Sequence, residues 1–511
     1  MQRTSRSKSC ALWPPTLRLA RSNGATMKLA SQGNPSGRQD DEGHASSVKA
    51  KDGDGLPLGF NAVDTVEALS EFLDAGQVTS SDLTQRAIAR AEALRAKGSV
   101  AFTRLWPDEA LVFARREDTF AASGSLRPSP LAGLPIAVKD NCDVRGDVTQ
   151  AGARVLAEFA PAQQDAICVS RLRSAGAVII GKTNMSEFAY ANTGDNITFG
   201  MPRNPCDPER LVGGSSSGSA AAVADGSVVA ALGTDTGGSI RGPAALCGLT
   251  AFKPSEKRIP SEGVVPISAT FDTIGPIARS IESCAIIDAV LSNSHYRKLP
   301  EYPLRGLSFG IPTTMVLDDL DNEVAAVFQG TVKALSESGA SVSEFSWPET
   351  EPGKWRQAYH MICRNEAYEV HGDLVRNHQD AIHRDVVRPI LSGASVTSRV
   401  RWEALNLRKA AVEASHDLIG RFHAVIMPTV PIVAPLIKEL NEEHTAGRIE
   451  YLIGRNNEIA NFFDCCAATV PCQELEQLPV GLLIMAKSGE DRRVLSIAKA
   501  VETCIGARHH R

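Results

Sequence analysis

No stretch of this 511-residue sequence approaches the ~20 apolar residues that a membrane-spanning helix requires. The nearest candidate, residues 424–437, carries three prolines and reads as a buried strand and loop. Charge of one sign is also lacking. Lys plus Arg number 54 against 59 Asp plus Glu, a net charge of −5, with no basic stripe. That balance argues against a chain devoted to a phosphate backbone. The 11 cysteines include no C-x-x-C and no Cys/His cluster of zinc-finger spacing. They read as reduced, mostly buried thiols of a cytoplasmic protein. With 43% hydrophobic residues the chain can build a large core, so neither a disulfide nor a metal staple is needed. Histidine is missing between His44 and His295, which bears on the choice of a catalytic base below.

Residues 1–55 differ from the rest. They hold nine Lys/Arg and five Asp/Glu, so this segment is +4 and the remainder −9. It is rich in Ser, Gly and Arg and has little periodicity. Six basic and no acidic residues precede position 30, as in a transit peptide, but the apolar h-region of a secretory signal is missing. The expectation is a disordered basic extension, or an upstream misassigned start with Met27 as the true one.

From residue 56 the pattern is that of one large domain reaching residue 511, without an internal repeat or a convincing linker. Asp64 is expected to cap a helix ending near Ala75, with Gly76 beyond it. Leu83, Ala87, Ile88, Ala91 and Leu94 recur at helical spacing in a second helix from about Ser81. Pro107 can open a third, to about Glu117. Short apolar runs then alternate with helical patterns. Residues 134–138, 177–180, 228–232, 425–433 and 480–485 read as buried strands, residues 355–420 as mostly helical, and 491–502 as a closing helix.

Two glycine-rich loops carry the chemistry. In Gly213-Gly-Ser-Ser-Ser-Gly-Ser219 a Gly/Ser turn leads into an Ala-rich helix, which creates a concavity of backbone N–H groups. A phosphate cradle would need Gly-Lys-Ser/Thr at its end, and Gly-Ser-Ala stands there instead. In Gly233-Thr-Asp-Thr-Gly-Gly-Ser-Ile-Arg-Gly-Pro243, Ser239 follows two glycines whose N–H groups are unobstructed. Such a loop suits an oxyanion hole, although an isolated Gly-Gly-Ser serves equally as a tight turn. If Ser239 is a nucleophile it needs a base, and histidine is absent nearby. Lys139 ends the run Gly133-Leu-Pro-Ile-Ala-Val-Lys139. A lysine at the end of a buried strand can be desolvated from ~10.4 toward ~7–8, the range of a general base; a lysine at a strand end can also be a solvated charge.

Taken together, the residues resemble the amidase signature family. The resemblance rests on Gly133–Asn141, Thr183-Asn-Met-Ser-Glu-Phe188, Gly213–Ser219, Gly233–Arg241, Phe252-Lys-Pro254, Asp272-Thr-Ile-Gly-Pro276 and Asp491 with its following helix, and spans about residues 60–505. It implies an α/β fold, a large central mixed sheet covered by helices on both faces. It also implies a Ser–cis-Ser–Lys triad: Ser239 as nucleophile, Ser215 as bridging serine after a cis Gly214–Ser215 bond, and Lys139 as base. The backbone N–H groups of Thr236, Gly237, Gly238 and Ser239 would form the oxyanion hole. Asp235 and Arg241 would hold that loop through hydrogen bonds. No metal or organic cofactor is implied. The chain departs from the family pattern at Ser217, where a glycine is usual, and over Ser255-Glu-Lys-Arg258. A Ser217 held at φ > 0 would be strained.

The resemblance points to an amidohydrolase that cleaves a small carboxamide through an acyl-enzyme, with no nucleic acid or membrane as direct partner and a homodimer left open. The alternative is the glutaminase-type component of a tRNA-dependent amidotransferase complex. Its Ser/Thr-rich stretch after the Thr-Asn-Met motif is poorly matched by Ala189–Thr198. Asn461-Phe-Phe-Asp-Cys-Cys466 weakly suggests allophanate-type hydrolases, whose extra C-terminal domain has no room here. Substrate choice is expected in residues 310–465, where Trp355, His360, Tyr368 and Trp402 either line a pocket or pack.

Overall fold

The computed structural model describes residues 58–350 and 353–506. The basic segment expected over residues 1–55, and Met27 with it, lies outside the described residues. Thirteen strands are present among them. They are β1 (Phe102–Leu105), β2 (Pro135–Lys139), β3 (Val178–Thr183), β4 (Arg203–Asn204), β5 (Asp207–Leu211), β6 (Ala230–Asp235), β7 (Thr250–Lys253), β8 (Thr273–Ala278), β9 (Ser308–Pro312), β10 (Ser341–Phe345), β11 (Ala424–Pro428), β12 (Cys465–Pro471) and β13 (Gly481–Lys487). Eleven form one sheet in the order β1-β3-β2-β6-β8-β7-β12-β13-β11-β9-β10, and β4 pairs with β5 alone. The sheet is mixed: β3, β2 and β6 run parallel to one another, as do β11, β9 and β10, while β8, β7, β12 and β13 are antiparallel to their neighbours.

Side-chain alternation along the central strands sends neighbouring residues into different apolar cores, one on each face of the sheet, and two smaller clusters lie apart from these. Val425 and Met427, Cys465 and Ala467, and Leu483 and Met485 join one core with Trp347, Trp355 and Phe462. Their sequence neighbours Ala424, Ile426, Cys466, Ala468, Leu482 and Ile484 join the other, with helical residues such as Ile281, Ile286 and Val494. Helices therefore cover both faces, and the central strands β11, β12 and β13 are apolar on both sides, as their continuous apolar runs require, whereas the edge strand β10 is polar and largely exposed.

The helix ends follow local chemistry. Thr65, not Asp64, caps the helix Val66–Asp74, its hydroxyl accepting the Ala68 N–H. Asp64 instead accepts the Asn61 N–H and pairs with Arg86 at 2.6 Å. Thr79 and Asp82 form a capping box on the helix Ser80–Ala96. Pro107 opens a helix that runs on to Ala122, beyond the expected end. The strand expected over 425–433 stops at Pro428, since Pro428 and Pro431 cannot supply ladder N–H groups. Ser217 needs no positive φ: it begins the helix Ser217–Ala224. The atypical Ser255–Arg258 stretch is tied to the C-terminal helix by Ser255 and Arg258, both partners of Asp491.

No disulfide joins any two of the ten described cysteines, and eight of them are buried. No helix among the described residues is long and apolar enough to cross a membrane. Leu483, fully buried at mid-strand, tests the two-core reading. Leu483→Ala is expected to lower unfolding free energy by about 2–5 kcal/mol. Trp402→Ala, at a side chain 67% exposed, is expected to change it by under about 0.5 kcal/mol. Urea denaturation of both variants checks the contrast.

Candidate active site

Strand pairing places the site. β2 and β6 are parallel neighbours with Val138 opposite Leu232. Lys139, the last residue of β2, therefore falls beside Gly233 and Thr234 at the carboxyl end of the sheet, where crevices form in α/β folds. Its side chain is fully buried. Lys139 Nζ lies 2.8 Å from Ser215 Oγ, 2.9 Å from Thr234 Oγ1 and 3.5 Å from the Thr234 carbonyl. Asn141 Nδ2 donates to the same threonine hydroxyl at 3.1 Å. Burial drives the amine down to about 7, against a smaller opposing pull from Cys142, Asp235 and Asp272. A neutral amine has two N–H donors and one lone pair. The two contacts to Thr234 can take the donors, which leaves the lone pair for Ser215.

Ser215 follows a cis peptide bond from Gly214. Its loop is held by the Ser186 N–H donating to the Ser215 carbonyl at 3.1 Å and by the Gly214 N–H donating to Asn192 O at 2.6 Å. Ser239 is 5% exposed and lines a cleft of about 240 Å³. The loops of the two serines are joined by the Ser216 N–H donating to Ser239 O at 3.2 Å. No hydrogen bond links the hydroxyls of Ser215 and Ser239, so the structure brings Lys139 to Ser215 directly and Ser239 only to the same loop junction.

The Thr236–Ser239 turn is clamped from below and above. Asp235 accepts the Gly238 N–H at 2.9 Å and the Ile240 N–H at 3.2 Å. Arg241 grips the same carboxylate through Nη2 at 2.9 Å and Nε at 3.1 Å, both side chains fully buried. Asn461 Nδ2 adds a donor to Asp235 Oδ1 at 2.9 Å. Burial alone would raise the Asp235 carboxyl, but Arg241, Lys253 and Asn461 together hold it well below the usual carboxylate range. One expectation is corrected: the Gly238 N–H is engaged by Asp235 and is not a free oxyanion donor. The N–H groups of Thr236, Gly237 and Ser239 enter no hydrogen bond among the described residues. Both glycines are sterically required. A Cβ on Gly237 would overlap the Tyr359 hydroxyl, and one on Gly238, at φ +115°, would overlap Asn457. Tyr359 in turn donates to the Thr236 carbonyl at 3.1 Å. Thr236 Oγ1 donates to Asp272 at 2.6 Å, and burial raises that carboxyl to about 6.

Of the four residues expected to line a pocket or pack, His360 lines the cleft. Trp355 is core, its Nε1 donating to Thr350 O at 3.1 Å. Tyr368 lies under Arg376, and Trp402 is exposed. Tyr359, Arg356, Glu450 and Glu458 form much of the cleft wall and were not singled out from sequence. Their signal was faint: polar residues at helical spacing within 443–462 face inward, and such a pattern usually reads as a solvated stripe. No group of His, Cys, Asp and Glu among the described residues is arranged to hold a metal ion.

The family model described as Amidase matches residues 82–495. The A subunit of the glutamyl-tRNA(Gln) amidotransferase of Symbiobacterium thermophilum is 33% identical over 480 residues, covering 86% of this chain and 96% of that one. A crystal structure of an amidase superposes with a TM-score of 0.78 at 30% identity, covering 86% of this chain and 99% of that one. A chain from a structure described as a vestigial protein complex bearing on the origins of an s-triazine catabolic enzyme gives 0.77 at 30% identity, covering 86% and 98%.

The Asp235–Arg241 pair gives a stability test. Asp235→Ala leaves a buried guanidinium uncompensated and is expected to cost about 3–5 kcal/mol. The carboxyl is depressed in the folded state, so its contribution is complete above the unfolded value of ~3.9 and fades as pH falls below it. Melting temperatures of wild type and variant should therefore differ most near neutrality and converge below pH ~4.

Proposed function

The chain belongs to the amidase family, and from that premise we propose that it is an amidohydrolase working through Lys139, Ser215 and Ser239, with residues 56–511 acting as one catalytic domain. The observation that carries the reading is the contact between the desolvated Lys139 amine and Ser215 Oγ at 2.8 Å. Neutral Lys139 takes the Ser215 proton as Ser215 takes that of Ser239. The Ser239 oxygen attacks the amide carbonyl carbon, once substrate has drawn the two hydroxyls together. The oxyanion is met by the N–H groups of Thr236, Gly237 and Ser239. The proton returns from Lys139 through Ser215 to the leaving nitrogen, and ammonia or an amine departs. Water then attacks the acyl-enzyme over the same relay and releases the carboxylate.

A second reading has support in the 33% identity to an amidotransferase component: the chain would then act with partner proteins and take its amide from glutamine. The free-standing hydrolase is favoured because Ala189–Thr198, part of which borders the cleft, lacks a Ser/Thr-rich stretch. The burial of eight of the ten described cysteines, with no disulfide joining any two of the ten, supports a cytoplasmic setting. Co-purification of obligate partners, with no amide hydrolysis by the chain alone, would decide for the amidotransferase component.

Ser239→Ala is expected to lower kcat/KM for a small carboxamide by about 10³–10⁶-fold, leaving residual oxyanion-hole catalysis. Near wild-type turnover by this variant would end the proposal. The lysine gives the pH profile its sign. The base acts when neutral, so kcat/KM should rise tenfold per unit below pH about 7 and level off above it. Stopped assays from pH 5 to 9 check this, and a flat profile would exclude Lys139 as the base.

A further inference from the structure

The cleft extends away from Ser239 along the helix Glu443–Phe462. Gly447, Glu450, Tyr451, Gly454 and Glu458 recur at helical spacing on one face of it. Glu458 marks the reactive end, its Cγ 3.5 Å from where a Cβ on Gly237 would stand. Glu450 lies eight residues back, about 12 Å along the axis. Arg356, on the facing helix Lys354–Asn377, stands against Glu458 and Tyr451 and lines the same cleft as Glu450. Its Nε and Nη2 donate to Glu458 at 2.6 and 3.2 Å, and its guanidinium lies 4.3 Å over the Tyr451 ring. The fork is thus fixed on two edges and one face, while Nη1 donates to no group among the described residues. Glu450 is fixed as well: the Asn192 N–H lies 2.8 Å from both of its oxygens. A carboxylate has about four acceptor positions, so capacity remains.

The charges select the ligand. Glu458 already compensates Arg356; burial lowers the pKa of His360 and raises those of Tyr190, Tyr359 and Cys363, which favours the neutral form of each of these cleft residues. An anionic group entering here would be a second carboxylate on a guanidinium that Glu458 already compensates, in a cleft that also holds the acid Glu450. A cationic group would be set against that guanidinium. An uncharged group offering a carbonyl oxygen and N–H donors meets neither obstacle, and it satisfies Arg356 and Glu450 together. Burial also brings the Glu450 carboxyl up to about 7, so near neutrality it offers an acceptor or a donor, and an amide matches either. A cleft of about 240 Å³ has room for a small ligand on the scale of a five-carbon diamide.

Resting on the reading of Ser239 as nucleophile, we propose that Arg356 and Glu450 form a recognition subsite for an uncharged amide-like group, carboxamide or ureido, carried by the substrate beyond its scissile amide. The carbonyl takes Arg356 Nη1 and the N–H groups donate to Glu450.

The test is calorimetric binding at pH 7 to full-length Ser239→Ala protein, with ligands of one length that differ only at the far end. These are glutaramide, pentanamide, glutaramate and 5-aminopentanamide, with glutamine as a zwitterionic arm. Glutaramide should bind at least tenfold more tightly than each of the others. In the Ser239→Ala background, Glu450→Ala, which keeps the Arg356–Glu458 pair intact, and Arg356→Met should each erase that preference while leaving pentanamide within twofold. Equal or tighter binding of pentanamide, a charged analogue or glutamine would overturn the subsite, as would variants that weaken all five ligands alike. Wild-type hydrolysis of pentanamide, followed in parallel, reports on the catalytic reading separately. Its loss with the binding order intact would remove the nucleophile and spare the subsite.

Discussion

An amine from which water is excluded is the constraint around which the rest of this structure is arranged. Lys139 is buried because β2 lies inside the sheet between parallel neighbours β3 and β6, with both faces covered. Desolvation penalises the ammonium form, and a close carboxylate would undo that penalty. The nearest strong candidate, Asp235, is on the adjoining strand and does attract the lysine charge. Yet Asp235 is already committed to Arg241, two backbone N–H groups and Asn461. Arg241 thereby does two things. It fixes the loop through Asp235, and it occupies a carboxylate that would otherwise hold Lys139 protonated.

The same clamp explains why the Gly237–Gly238 pair admits no side chain. Asp235 draws the Gly238 N–H downward, while Tyr359 draws the Thr236 carbonyl toward the helix above. In a trans peptide the C=O and the following N–H point in opposite directions. The Tyr359 hydroxyl on Thr236 O thus also orients the Gly237 N–H. Preorganised donors of this sort stabilise developing negative charge without reorganising as it forms.

How much of this was legible in sequence follows from where each contact originates. Lys139, Ser215, Asp235 and Ser239 lie in loops and strand ends whose Gly/Ser composition is unusual, so motif order exposed them. The central strands were readable because parallel, doubly covered strands are apolar throughout. Thr234 lay within a quoted motif, but its role needed the β2–β6 register, which a sequence does not display. Arg356, Tyr359, Asn457 and Glu458 come from helices more than a hundred residues downstream of Ser239. On a helix, one polar residue facing inward looks like any other surface position. The capping error has the same root: Asp64 and Thr65 are both good caps, and Asp64 was claimed by Arg86 across the fold.

The helix Glu443–Phe462 joins the two halves of the site. Near its C-terminal end, Asn457 packs against Gly238, and Glu458 approaches Gly237. Two to three turns earlier, Glu450 and Gly447 border the outer cleft. Asn457 Nδ2 also donates to Thr429 O at 3.0 Å, and Asn456 to Pro428 O at 2.8 Å, so that end is anchored to the carboxyl end of β11. Larger side chains at 457 and 458 would therefore press on the Thr236–Ser239 turn, because its glycines leave no slack. A change at 447 need not, because a Cβ on Gly447 would meet nothing within 4 Å, whereas Glu450 holds the Asn192 N–H, and Asn192 O in turn accepts the Gly214 N–H of the Ser215 loop. One element thus carries a constrained end at the Thr236–Ser239 turn and, at Gly447, a position open to change along the cleft. On the proposed reading, the fold can alter what it recognises at that position without disturbing Lys139, Ser215 and Ser239.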